Sequence, residues 1–324
     1  MSRKIEKTKQ TSYLAKLTKP KSANVLIRKR LFKLLDEARN RSVIWITAPP
    51  GAGKTTLIST YLEQKKLPCL WYQVDEGDGD IASFFHYMGI AAKQAAPRFR
   101  KPLPNLTPEY LMGLSTFTRN YFRELYSRIN PPVSPFRKGG VASSVPSFSK
   151  GGLGRIRKGG FAIVLDNYQD VPANSSLHEI IQTGLSEMIE GINVIIISRA
   201  QPPDAMARIQ ASNNFTMLRW DDMRLTEDEA AGIANLRGSN KKLSQELLRT
   251  IHEQTQGWVA GLVLMLEQYK EMAIPKEISN QGTHEAVFNY FAGEIFQRTD
   301  KETQEFLLKT AFLPKATAPM ARQL

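Results

Sequence analysis

Residues 43–56 read VIWITAPPGAGKTT, and the fold follows from them. Val43 to Thr47 are apolar or β-branched and too few for a helix, so they form a buried strand. Pro49, Pro50, Gly51, Ala52 and Gly53 break that strand into a loop. Beyond Lys54, the apolar Leu57, Ile58, Tyr61 and Leu62 recur at helical spacing. Strand, glycine-bearing loop and helix make a phosphate cradle, because the first helical turn leaves N–H groups unpaired and carries the positive end of the dipole. The stretch Ala48, Pro49, Pro50, Gly51, Ala52, Gly53, Lys54, Thr55, Thr56 is therefore the candidate nucleotide-binding segment. Gly53 lets the backbone approach the phosphates, Lys54 reaches the β- and γ-phosphate oxygens, and the Thr55 hydroxyl is placed to coordinate Mg²⁺. The strict pattern G-x-x-x-x-G-K-[ST] fails at Ala48, which is tolerable where φ is negative.

Two further strands bear on the same site. FAIVLDNYQDV, residues 161–171, reads as a strand ending in Asp166, a carboxylate that can hold Mg²⁺ directly or through water. Asn167 follows where many ATPases of this type have a second acid. An amide can position a water but cannot take its proton, so binding is better supported than fast hydrolysis. Asp170 is a candidate substitute. The strand Asn193 to Ser198 delivers Arg199, whose guanidinium can contact the γ-phosphate and distinguish ATP from ADP; the alternative is a surface ion pair. Two more strands are expected at Cys69 to Val74 and Thr216 to Trp220. The loop DEGDGD after the first of these lacks calcium-loop spacing and reads as an acidic turn.

Net charge is +13 over 324 residues, but it is unevenly placed. Residues 1–41 carry an excess of ten positive charges and residues 131–160 an excess of six, which leaves the rest about three charges negative. A solvated basic tail over residues 1–22 is therefore expected ahead of direct DNA binding by the folded part. The single cysteine, Cys69, excludes an internal disulfide and agrees with a reducing cytoplasm. No apolar run approaches the roughly 18 residues that span a bilayer, and the lysine-rich start has no apolar region of the secretory kind. The four histidines lack ligand spacing.

In chain order, a short amphipathic helix is expected from Val25 to Ala38, with helical periodicity again from Ile81 to Ala96 and Pro108 to Ile129. SPFRKGG, PSFSKGG and RIRKGG within 131–160 are near-copies with too few apolar side chains for a core, and read as a low-complexity insertion. Beyond Thr226, which with Glu229 forms a capping box, the strand signals stop. Residues 226–236, 243–255, 258–270, 283–297 and 301–312 are helical in period. The expected class is α/β, a P-loop NTPase parallel sheet over 23–225 followed by an all-helical domain over 226–300.

APPGAGKTT, LWYQVDEGDGD, IVLDNYQDV, IIISRAQPP, LRWDDMRLTEDEA and QGWVAGLVL, in that order, resemble the nucleotide-binding module of the STAND ATPases, closest to the MalT-like, LuxR-type transcription regulators. The resemblance implies the sheet order 5-1-4-3-2, Lys54 and Thr55 as phosphate and Mg²⁺ residues, Asp166 as the Walker B acid and Arg199 as the sensor. It also implies an adenine contact near Arg28 to Leu31, and the start of a winged-helix domain over 301–324. The function expected is an ATP/ADP switch with slow hydrolysis. Self-association in the ATP state, inducer response and DNA binding would need the sensor and C-terminal domains of a full-length regulator. The alternatives are a non-catalytic nucleotide-binding interaction protein and a P-loop kinase for a small substrate.

Overall fold

The computed structural model describes residues 14–98, 101–129, 160–237, 244–271, 296 and 300–310. The insertion 131–160, apart from Gly160, and the helix expected over 283–297, apart from Phe296, lie outside the described residues. The chain divides into two compact units, one of Met1–Ala48 with Lys54–Met223 and the other of Pro49–Gly53 with Arg224–Leu324.

The first unit is built on five parallel strands: β1 (Val43–Thr47), β2 (Cys69–Gln73), β3 (Phe161–Asp166), β4 (Ile192–Ser198) and β5 (Phe215–Leu218). Their order is β2-β3-β4-β1-β5, which is 5-1-4-3-2 read from the other edge. All residues of β1, β3 and β4 are buried, as strands covered on both faces must be, and their continuous apolar runs are the sequence counterpart of that burial. Register places Thr47 opposite Ser198 and Gln73 opposite Asp166, so the carboxyl ends align along one edge.

Successive side chains on a strand alternate between faces. Val43, Trp45, Ile163, Leu165, Val194 and Ile196 join one cluster with residues of three helices, α3 (Ile81–Ala95), α4 (Leu114–Ile129) and α5 (Leu177–Ser186). Two other helices, α1 (Lys29–Ala38) and α2 (Lys54–Gln64), bury Leu31, Leu35, Ile58 and Tyr61 outside that cluster, with Phe32 and Tyr61 edge to face at 5.2 Å. The unit ends with two single-turn helices, α6 (Ala207–Gln210) and α7 (Trp220–Met223).

Four expectations shift. The strand read through Trp220 stops at Leu218, because the Asp222 carboxylate accepts the Arg219 N–H at 2.8 Å and starts α7. The helix read from Val25 begins at Lys29, and the one read from Pro108 opens as a 3-10 turn over Pro108–Gly113. The tail read through Ser22 is not wholly a solvated one: Ala15–Leu17 forms a turn, Leu17 is buried in the core, and Lys16 Nζ pairs with Asp78 at 2.8 Å and Asp75 at 2.7 Å. Asp78 has no exposure and also accepts the Tyr72 hydroxyl at 2.6 Å and the Asp75 N–H at 2.9 Å. The acidic turn thus satisfies its buried carboxylate internally, as a buried charge requires.

The second unit holds α8 (Glu227–Arg237), α9 (Gln245–Thr255), α10 (Val259–Glu271) and α11 (Lys301–Thr310). Thr226 and Glu229 make the reciprocal capping box, each bond 3.2 Å. Leu225, Ala230, Ala234, Ile251, Leu262, Met265 and Leu266 form its apolar cluster. Among the described residues no helix is long and apolar enough to cross a membrane.

Candidate phosphate-binding site

The loop backbone does what its glycines require. Gly51 and Gly53 adopt φ of 69° and 81°, in the left-handed region open to glycine, while Ala48 is not among the positive-φ residues. The departure from the strict motif at Ala48 therefore costs no backbone strain. Within the second unit, the Trp258 indole N–H donates to the Pro50 carbonyl at 2.8 Å and the Ala260 N–H to the Gly51 carbonyl at 3.0 Å. Trp258 is half-buried and spends its polar edge on the loop.

Within the first unit, α2 begins at Lys54. Lys54 is 9% exposed, and its Nζ donates to the Ala48 carbonyl at 2.5 Å. Burial, and then the neighbouring Arg199 guanidinium, hold this ammonium down at about 8, against a raising effect from Asp166. The Thr55 hydroxyl donates to Asp166 Oδ1 at 3.1 Å. Asp166, 3% exposed at the tip of β3, also accepts the Asn167 N–H at 3.0 Å. Burial raises its proton affinity, which Thr55, the Asn167 N–H and Lys54 oppose. Thr56 belongs to the first helical turn, its carbonyl accepting the Thr60 hydroxyl at 2.8 Å. An ammonium, a hydroxyl, a carboxylate and a guanidinium from three strand ends thus come together in one unit.

The oxygens of Thr55 and Asp166 are hard donors 3.1 Å apart, and burial raises the proton affinity of the carboxylate. This pair fits Mg²⁺, which takes few protein oxygens and keeps waters or phosphate oxygens. Asn167 is left-handed, φ 61° and ψ 38°, a conformation asparagine tolerates better than most residues. Arg28, expected near a nucleotide base, is buried, and its guanidinium donates to the Met223 carbonyl at 2.8 Å; Arg30 likewise donates to the Asp222 carbonyl at 2.8 Å. Sequence reading missed Gln169, whose amide bonds to both the Arg199 N–H and Asp170 at 3.0 Å; no motif marks it.

A parallel sheet in this order, with a glycine loop running from β1, between β4 and β5, into a helix and an acid at the tip of β3, defines a P-loop NTPase fold. The model of the family described as nephrocystin 3, N-terminal, matches residues 22–199. The chain belongs to that family. It is also 23% identical to the HTH-type transcriptional regulators MalT of Vibrio campbellii, over 305 residues, and of Vibrio parahaemolyticus, over 306. Each match covers 92% of this chain and 30% of the relative, so the chain spans about 30% of the length of these regulators. Their likeness bears out the resemblance to a MalT-like STAND module. Among solved structures, the Walker-type ATPase paby2304 of Pyrococcus abyssi matches with a TM-score of 0.52 at 11% identity, over 91% of this chain and 82% of that one; it supports the fold.

Proposed function

We propose that the chain is an ATP/ADP-binding switch module with slow, Mg²⁺-dependent hydrolysis, belonging to a signal-responsive, MalT-like transcription regulator of the cytoplasm. The observation that carries the reading is the Thr55 to Asp166 hydrogen bond beside the buried Lys54. An arriving triphosphate would draw Lys54 from the Ala48 carbonyl to the β- and γ-phosphates, and Thr55 and Asp166 would hold Mg²⁺ between them. The metal supplies charge neutralisation of the phosphates. Arg199 reads the γ-phosphate. Asn167 orients a water without deprotonating it, which makes turnover slow and lets the bound nucleotide serve as a state.

The MalT relatives support the regulatory context. Self-association in the ATP state, an inducer and DNA are partners of a full-length regulator of that type. The experiment is calorimetric titration of ATP and ADP, with and without Mg²⁺, on the wild type and Lys54→Ala, together with release of labelled phosphate. Mg²⁺-dependent binding that Lys54→Ala abolishes, with turnover over hours, supports the proposal. Unchanged affinity in Lys54→Ala overturns it, and binding without any turnover favours a non-catalytic interaction protein.

A further inference from the structure

The main chain of Arg199 is fixed from several directions. Its carbonyl accepts the Thr47 hydroxyl at 3.4 Å, the next carbonyl, of Ala200, accepts the Trp45 indole N–H at 3.1 Å, and the Ala200 N–H donates to the Ser198 hydroxyl at 3.0 Å. The remaining group, the Arg199 N–H, donates to Gln169 Oε1 at 3.0 Å. The same side chain donates from Nε2 to Asp170 Oδ1, also at 3.0 Å. A backbone N–H can only donate and a carboxylate accepts, so one amide orientation satisfies both partners and the flipped one satisfies neither.

Gln169 is presented by a turn with little freedom. Left-handed Asn167 leads into a 3-10 turn, Tyr168–Asp170, closed by the Asp170 N–H to the Asn167 carbonyl at 3.0 Å. Tyr168 is buried edge-on to Trp45, with ring centroids 5.4 Å apart, and its hydroxyl meets His178 Nδ1 at 3.0 Å. His178 Nε2 meets the Pro172 carbonyl at 3.1 Å; it must donate there, so Nδ1 accepts from Tyr168. The turn is therefore pinned on both sides of Gln169, and Asp170 is near enough to Asp166 for their charges to repel.

We propose that Gln169 is a positioning residue, holding Arg199 and Asp170 in a fixed relation so that discrimination of ATP from ADP by Arg199 runs through the Gln169 amide. This rests on the reading of Arg199 as the γ-phosphate sensor.

The test is a double-mutant cycle. Kd for ATP and for ADP is measured in the presence of Mg²⁺ for the wild type, Gln169→Leu, Arg199→Ala and the pair. Leucine keeps the size and removes both bonds; one lost hydrogen bond network of this kind lowers the ATP-over-ADP preference about three- to tenfold. If Gln169 acts through Arg199, the double variant loses no more preference than Arg199→Ala alone. A Gln169→Leu effect that adds to that of Arg199→Ala, or no effect, overturns the role of Gln169 and leaves Arg199 as sensor. An unchanged preference in Arg199→Ala overturns both. Gln169→Glu keeps the acceptor for the Arg199 N–H but replaces the donor to Asp170 by a second carboxylate, so it too should lose preference, and full retention overturns the role of the amide bridge; ADP affinity unchanged in both variants guards against misfolding.

Discussion

Replacing Lys54 by methionine should separate stability from function, because the lysine is costly to the fold and useful only to the site. In the folded chain its proton affinity falls from 10.5 to about 8, chiefly through burial. That gap, at 1.36 kcal/mol per pH unit, is a cost of about 3 kcal/mol at neutral pH. Against it stands the Ala48 carbonyl, buried and accepting from Nζ at 2.5 Å, which loses its donor in the variant at a cost of roughly 1–3 kcal/mol. The difference predicts a nucleotide-free Lys54→Met chain as stable as the wild type or up to about 2 kcal/mol more stable. The sign with pH follows from proton binding. Between about 8 and 10.5 the unfolded chain binds more protons at this lysine than the folded one, so wild-type stability rises with pH in that window and the advantage of the variant shrinks. Nucleotide reverses the order: charge-assisted contacts to two phosphates, at about 1.5–3 kcal/mol each, vanish, and affinity for ATP drops by at least about a hundredfold. Denaturant melts at pH 7 and pH 10, with and without Mg-ATP, check all of this. A nucleotide-free variant more than about 2 kcal/mol less stable than wild type, or an ATP-induced stabilisation equal to that of wild type, refutes the reasoning.

Asp166→Asn keeps an acceptor for Thr55 but removes the charge, so ATP binding should lose its Mg²⁺ dependence while ADP binding without metal persists; a calorimetric comparison with and without chelator reads it. Asn167→Asp supplies the missing acid at the same size, and phosphate release should quicken if lack of a proton acceptor limits turnover; an unchanged rate counts against that cause. Lys16→Ala strips the fully buried Asp78 of its cation and should destabilise the first unit by about 3 kcal/mol, measured by urea melts. Gly184→Ala would set a Cβ 2.7 Å from three ring carbons of Phe122, and melting should show a loss of about 1–3 kcal/mol.

The parts legible in the sequence are those whose physics is local. A parallel strand buried on both faces must be an unbroken apolar run, so β1 and β3 are bounded as their side chains dictate, Val43–Thr47 and Phe161–Asp166. The glycine loop announces its own backbone, and Lys54, Thr55 and Asp166, singled out for the chemistry a phosphate would require, lie together. What the sequence hides is contact at long separation. Lys16 looks like one more charge in a basic tail, yet 62 residues away it meets an aspartate with no exposure. Arg28 lies within the amphipathic helix expected from Val25 and near the implied adenine contact, and its guanidinium serves a carbonyl 195 residues on. Trp220 could have been read correctly, since the pair Asp221 and Asp222 behind it is the acidic first turn of a helix and stops the strand at Leu218. Gln169 could not: a lone glutamine after an acid carries no pattern, and its importance arises only once β3 and β4 lie side by side and bring the Arg199 N–H within reach. Motifs thus mark the groups whose chemistry a ligand would fix, whereas a contact such as that of Gln169 with the Arg199 N–H is fixed by this fold alone.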